Sequence, residues 1–389
     1  MKKDMNMKVN VLPVLTYNFL HVNDSTLNAS DVTIDSLNTP DEAFLPKEIL
    51  VKKDISFDEA GEIFRANKDR ILKTTGVPGN PNGDMAYRDE KQALRTGMGI
   101  DIDELMVSTN TRANVYTVPE GVKVAQPLVI KYEMKNGQGS LSAQVIHAQK
   151  NSEVTVIMAY EADKADAGFH GVSTRLLAEE GAKITLVKVQ LLGNEFIHFD
   201  DIGGACFEKG QIDVISLELG AKKSWTGCYI NLVEQESVFN SNMGYLCRED
   251  HNLDINYVSD HRGRKTNAAM QFKGVLMDTA SKTFRGTIDF KNGSAGSVGD
   301  EQEDALLLSE DVINKTMPVI LCQEEDVDGR HGATIGQLGE DILFYMQSRG
   351  IDEDEAKRIM IKARLDSVAR MIPDAEIMQK VQYYIQGIV

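Results

Sequence analysis

With 389 residues and 42% apolar content, the chain is long enough for two or three domains and too hydrophobic for general disorder. Its 59 acidic against 42 basic residues leave a formal charge of −17, which argues against a nucleic-acid backbone or an anionic membrane as the main partner. No run approaches the ~20 apolar residues of a membrane span, and the start, MKKDMNMKVNVLPVL, lacks the apolar stretch and cleavage site of a secretion signal, so a cytoplasmic protein is expected.

Residues 1–110 read as a mixed region with one helix, SFDEAGEIFRANKDRIL, where Ser56 is the N-cap and Glu59 completes a capping box. Ala60, Ile63, Phe64 and Ile71 approximate one apolar face. The cluster GVPGNPNGD then stops the segment. From Val115 to Gln323 short β-rich runs recur, among them PLVIKYEM, SEVTVIMAYEA, AKITLVKVQLL, CYINLVEQ and TFRGTIDF. Strands start about every 10 residues with no helix between them, which suits a sandwich, a barrel or a solenoid. Stacked coils accommodate two hundred such residues better than a single sandwich does. A β domain over residues 111–325 and a helical domain over 326–389 are expected.

After His331 the pattern turns helical. DILFYMQSRG ends at Gly350, a C′ glycine. The next helix opens on Asp352 as N-cap with Glu355 at N3 and Ile351 as a hydrophobic staple. Ala356, Ile359, Met360 and Ala363 form its apolar stripe, free either to cap the end of a β-helix or to face a partner. Pro373 breaks it, and DAEIMQKVQYYIQGIV supplies a last amphipathic segment.

The cysteines are Cys206, Cys228, Cys247 and Cys322, with no C-x-x-C pair to suggest a zinc ribbon or thioredoxin-type site. The first three lie 22 and 19 residues apart, so coils of about 20 residues would stack them into a thiol ladder. Such a ladder would set three thiols, potential soft-metal ligands, on one face. Free cysteines are equally good small core residues, the better reading for Cys228 and Cys247. His261 and Trp225 read as structural.

One stretch is specific. HGATIGQLGEDILFYMQSRGIDEDEAKRIMI is similar almost throughout to the C-terminal signature of the SufB/SufD family, scaffold subunits of the SUF iron–sulfur cluster assembly machinery. YTVPEGVKVAQPLVI resembles the start of that family's β-helix, and MQFKGVLMDTASKTFRGTIDF with EQEDALLLS its last coils, so the resemblance covers about residues 110–372. It implies a right-handed parallel β-helix flanked by N- and C-terminal helical regions. It also implies pairing of a SufB-type with a SufD-type chain through the β-helices, and C-terminal helices that dock the SufC ATPase. Sulfur arrives from a cysteine desulfurase system, and cluster ligands lie between the two scaffolds. SufB-type chains carry a cysteine before the LLLS segment and a Glu after the signature histidine, where this chain has Glu303 and Gly332. His331-Gly332-Ala333-Thr334 spells the SufD form.

The chain thus reads as a SufD-like, non-catalytic scaffold; the alternative is a SufB-like or stand-alone scaffold using its own thiols. His331 is the leading iron ligand, since imidazole alters a cluster's potential and lability relative to thiolate. Glu303 and Cys322 are further metal candidates, and Cys206 lies near the position where SufB-type chains accept sulfur. Glu324, Glu325, Asp326 and Asp328 suit either incoming ferrous iron or a solvated turn. Gly329 and Gly332 are expected to let the backbone turn sharply beside His331. Flavin, a ligand of the family's complexes, has no sequence handle here, and pairing of the isolated chain with itself stays open. A carbohydrate-active β-helix enzyme would need paired carboxylates on one coil face.

Overall fold

Runs such as Lys183–Leu191, KITLVKVQL, carry apolar residues on both faces, which a strand tolerates only when each face is covered. The computed structural model, which describes residues 2–16, 18–34, 40–72 and 93–387, shows how this is met. An N-terminal hairpin, β1 (Lys2–Val9) and β2 (Ser25–Thr33), precedes two short strands, β3 (Asp41–Phe44) and β4 (Leu50–Ser56). Three helical turns follow, α1 (Phe57–Ala60), α2 (Glu62–Ala66) and α3 (Lys68–Ile71), then α4 (Ile100–Ser108).

The chain then alternates between two parallel sheets for about eight turns of a β-solenoid. One sheet holds β5 (Arg112–Val118), β7 (Gly139–Ala148), β9 (Ala167–Ala178), β11 (Glu195–Cys206), β13 (Lys223–Leu232), β15 (Asn252–His261), β17 (Ser281–Phe290) and β19 (Ile313–Cys322). The other holds β6 (Leu128–Glu133), β8 (Glu153–Glu161), β10 (Lys183–Leu191), β12 (Gln211–Glu218), β14 (Val238–Cys247), β16 (Asn267–Leu276), β18 (Ser297–Leu307) and β20 (Val327–Gln337). Three helices end the chain: α5 (Glu340–Ser348), α6 (Glu353–Ala369) and α7 (Ala375–Gln386). No helix among the described residues is long and apolar enough to cross a membrane.

Three layers result. Between the sheets lies the solenoid core, including Leu128, Val156, Leu186, Val214 and Ile230. The hairpin and α4 cover the outer face of the first sheet, burying Leu141, Phe169, Phe199 and Trp225, whose indole donates to Ser25 Oγ at 2.9 Å. On the outer face of the second sheet, α6 and α7 pack Ile361, Leu365, Val368, Ile377 and Val381 against Val187, Val189 and Leu217. Trp225 is thus structural, as expected.

The local helix signals behave as their chemistry dictates. Ser56 accepts from the Glu59 N–H, Asp352 from Glu355 and Asp374 from Ile377. Gly350 sits at φ +83°, with Ile351 N–H to Met346 O and Gly350 N–H to Gln347 O closing a Schellman motif. Several expectations give way to packing. The single helix over residues 56–72 is three separate turns, and the GVPGNPNGD cluster lies outside the described residues. The buried stripe of α6 is Ile361, Leu365, Val368 and Ala369 with Ala356, while Ile359 and Ala363 are exposed. Neither α6 nor α7 caps the solenoid; both lie along its side.

The strand ladder also outruns the expected boundary at 325. Residues 327–337, read as loop leading into helix, form β20, which pairs with β18 from Ser297↔Val327 to Leu307↔Gln337. The backbone makes no sharp turn at His331, and neither Gly329 nor Gly332 has positive φ. Both answer close approach instead. A Cβ on Gly329 would lie 2.9 Å from the Phe290 ring, and one on Gly332 2.4 Å from Gln302 Oε1. The space at Gly332 is therefore filled by Gln302.

Candidate functional site

Parallel strands in register place paired side chains on the same face, so each coil adds one rung to a column running along the solenoid. One column reads Leu128, Val156, Leu186, Val214, Ser241, Met270, Glu301 and His331. Its lower rungs are core. At the top, β19 and β20 are the last strands of their sheets, and no described strand pairs with their outer edges. His331 is therefore the uppermost rung of an interior column, exposed because no coil lies above it.

The rung beneath it, Glu301, is fully buried, and neither carboxyl oxygen has a hydrogen-bond partner. Burial, reinforced by the neighbouring Glu303 carboxylate, pushes its carboxyl up to about 8. A Cβ on Gly286 across the coil would come within 2.6 Å of Glu301 Cδ, so glycine there is what makes room for the acid. Glu303, two residues on, is engaged differently. It is ion-paired with Lys282, its Oε1 accepts from Tyr245 at 2.9 Å and its Oε2 from Thr316 at 2.7 Å. Desolvation lowers the Lys282 ammonium from its ordinary value despite that partner. An iron ion could take Glu303 only by breaking this buried network, which is costly for a pair out of reach of water.

The three interior cysteines do not form a ladder. Paired residues are 26 positions apart at Cys206↔Leu232 and 32 at Ser281↔Ile313, so spacings of 22 and 19 fall out of phase. Cys228 pairs with Ile202 and Tyr257 elsewhere in the first sheet, and Cys247 lies in the second. All three are buried among apolar residues. Burial drives the Cys206 and Cys228 thiols well up and the Cys247 thiol up to about 12, which disfavours thiolate at rest.

A different pair emerges from the register. Cys206, Leu232, His261, Phe290 and Cys322 occupy one column, so two predicted site residues share a face four rungs, roughly 19 Å, apart. His261 between them donates to or accepts from Thr266 Oγ1 at 2.7 Å and packs on Phe290, a structural role as expected. Cys322 is exposed on the terminal coil. It lines an open cleft of about 610 Å³ with Phe290, Ile320, Glu324, Glu325 and Gly329, the last two residues from His331. Glu324 accepts from the Gly293 N–H at 3.0 Å, and Asp328 pairs with Arg330, so these acids form a hydrogen-bonded turn and strand edge. Among the described residues no three His, Cys, Asp or Glu side chains converge as a metal-holding group.

His331 and Cys322 thus share the terminal coil, Glu303 lies one coil below, and Cys206 lies deep inside. Glu301 and Lys282 escaped sequence reading, although EQEDALL shows acids at alternate positions, the strand period that sends both Glu301 and Glu303 inward. The interior also holds a polar cluster without a motif. Lys188 pairs with Asp200, Tyr160 donates to Asp200 at 3.1 Å, and the His170 and His198 rings stack 5.1 Å apart.

A family model described as SUF system FeS cluster assembly, SufBD core domain, matches residues 131–364, which include every residue discussed above from β18 to β20. The iron–sulfur cluster assembly protein SufD of Bacillus subtilis is 25% identical over 294 residues, 73% of this chain and 66% of the relative. A chloroplastic iron–sulfur cluster assembly SufBD family protein of Arabidopsis thaliana is 24% identical over 372 residues, 92% of this chain and 63% of the relative. A SufBD family protein of Pyrococcus horikoshii is 28% identical over 265 residues, 66% of this chain and 57% of the relative. The chain therefore spans less than two thirds of the length of these curated relatives. Because the family match covers more than half of its residues, the chain belongs to the SufBD family of the SUF iron–sulfur cluster assembly system.

Proposed function

We propose that this chain is a SufD-like scaffold subunit that pairs with a SufB-type chain and helps hold a nascent iron–sulfur cluster as cargo. The observation that carries the reading is His331 at the top of an interior column, exposed beside two unpaired strand edges. Such edges are ready to accept another chain, and an imidazole set among them can offer one nitrogen to iron while thiolates come from the partner. Similarity to the Bacillus subtilis SufD supports the SufD side. The subunit would work in the cytoplasm without catalysing a reaction itself, taking sulfur that originates from a cysteine desulfurase. Flavin plays no part in this reading.

The same reading assigns the C-terminal helices to docking a SufC-type ATPase. Its support is α5, which exposes Ile342, Phe344 and Tyr345, more apolar surface than a helix merely covering a sheet would leave outside. Phe344→Glu with Tyr345→Glu should abolish retention of the ATPase in a pull-down while leaving the melting temperature unchanged. Full retention would exclude α5 as the docking element.

His331→Ala decides the central point. In the complex with its partner scaffold and ATPase, the variant should keep the wild-type circular dichroism and melting temperature yet lose bound iron and sulfide. Normal cluster content, or an unfolded variant, would reduce His331 to a structural residue. The exposed Cys322 on the same coil favours a second reading, in which this chain supplies a thiolate as well as the imidazole. Loss of the cluster in Cys322→Ser would select it.

A further inference from the structure

Glu301 is an anomaly of the fold. The column it occupies is apolar below it except for Ser241, and Met270 fills the rung directly beneath. A buried carboxyl with no partner is destabilising, and most such groups in folded proteins find a donor. Two donors of this region are committed elsewhere: Lys282 and Tyr245 both go to Glu303. Gly286 has surrendered its side chain to the space that Glu301 fills. The one neighbour on the column that can donate is His331, about 4.8 Å along the ladder and free to rotate because it is exposed.

We infer that Glu301 is a positioning residue for His331: its carboxyl oxygen accepts the inward ring N–H, fixing the tautomer and aiming the other nitrogen out of the open end. A carboxyl oxygen can accept that bond whether or not the acid is ionised. Histidines that ligate metals commonly hand their second ring nitrogen to a carboxylate or carbonyl, and losing that support costs about 10–100-fold in metal affinity. The inference deepens the proposed function and rests on His331 as a cluster ligand.

The test compares Glu301→Met and Glu301→Gln with the wild-type chain labelled at histidine with ¹⁵N, the His331 resonance being identified as the one missing in His331→Ala. Methionine already occupies the rung below, so Glu301→Met fits the column and, with a buried unpartnered acid removed, should melt no lower than wild type. Its His331 nitrogens should shift toward the other tautomer or a mixture. Glu301→Gln, which keeps one acceptor oxygen, should retain most of the wild-type signature. In the assembled complex, iron affinity should fall about 10–100-fold in Glu301→Met and less in Glu301→Gln. Unchanged His331 nitrogen shifts in Glu301→Met would overturn the inference, and so would its failure to fold, since Glu301 would then be a structural element. If His331→Ala assembles clusters normally, the ligand reading falls while the nitrogen shifts still decide whether Glu301 orients the ring.

Discussion

The two ends of the solenoid are built on opposite principles. At the N-terminal end the chain reverses and plugs itself: β3 pairs antiparallel with β6 and β4 with β5. Ile49 is buried in the core cluster, Leu45 and Val51 pack against it, and Tyr116 donates to Glu42 of β3 at 2.9 Å. At the C-terminal end the last coil, β19 and β20, has no such plug among the described strands, and most of β20 is exposed. Each coil of a solenoid is covered by its neighbours, so a terminal coil must be capped or must offer its face to something else. The N-terminal end is antiparallel and closes on the apolar side chains of Leu45, Ile49 and Val51. The other carries an exposed histidine, an exposed thiol and a buried acid whose carboxyl has no hydrogen-bond partner.

Three substitutions probe that contrast, the two larger effects first. Ile49→Ala, at the closed end, should cost about 2–5 kcal/mol in urea unfolding, the usual penalty for truncating a buried isoleucine. A loss under about 1 kcal/mol would mean that the plug is not what closes the core.

The second concerns the sealed interior between the ends. Burial, with the nearby Asp200 carboxylate, pushes the Glu218 carboxyl up from 4.5 to about 8, although Ser224 and Gln190 donate to it at 3.3 Å. The native state therefore keeps this proton to higher pH than the unfolded chain, and stability contributed at low pH is lost as pH rises from about 4.5 to about 8. Glu218→Gln should remove that slope, gaining on wild type by up to about 1.4 kcal/mol per pH unit across the window and levelling above it. Parallel stability–pH curves for the two proteins would show that Glu218 titrates normally.

The smallest effect is expected at the open end, where Ile335 of β20 is half exposed. Ile335→Ala should change the stability of the isolated chain by no more than about 0.5 kcal/mol. Its effect should become larger once a partner scaffold covers the edge, which titration of the complex would reveal. Equal, small effects in both states would place the partner elsewhere.

Local signals were legible because they act over a few residues. The caps at Ser56, Asp352 and Asp374, and the glycine stop at Gly350, need only side-chain and backbone chemistry within one turn. The β-rich grammar from Val115 onward announced stacked strands for the same reason, since the two-residue alternation is written along each strand. The α6 stripe was misread because its period is shared by two sets of apolar residues, and only the outer face of the second sheet selects Ile361, Leu365 and Val368 over Ile359 and Ala363.

By itself, then, the sequence determined the recurrent strands from Val115 to Gln323, the C-terminal helices with their caps, the family, and the histidine that stands out in the terminal segment. Only the tertiary structure decided the coil length, and with it which residues share a column. A change from about 20 residues per coil to between 26 and 32 separates Cys206 from Cys228 and Cys247, aligns it with Cys322, and sets His331 on Glu301. No local rule contains that information, because a rung is defined by hydrogen bonds between strands some thirty residues apart, and turn lengths accumulate along the solenoid before any two side chains meet.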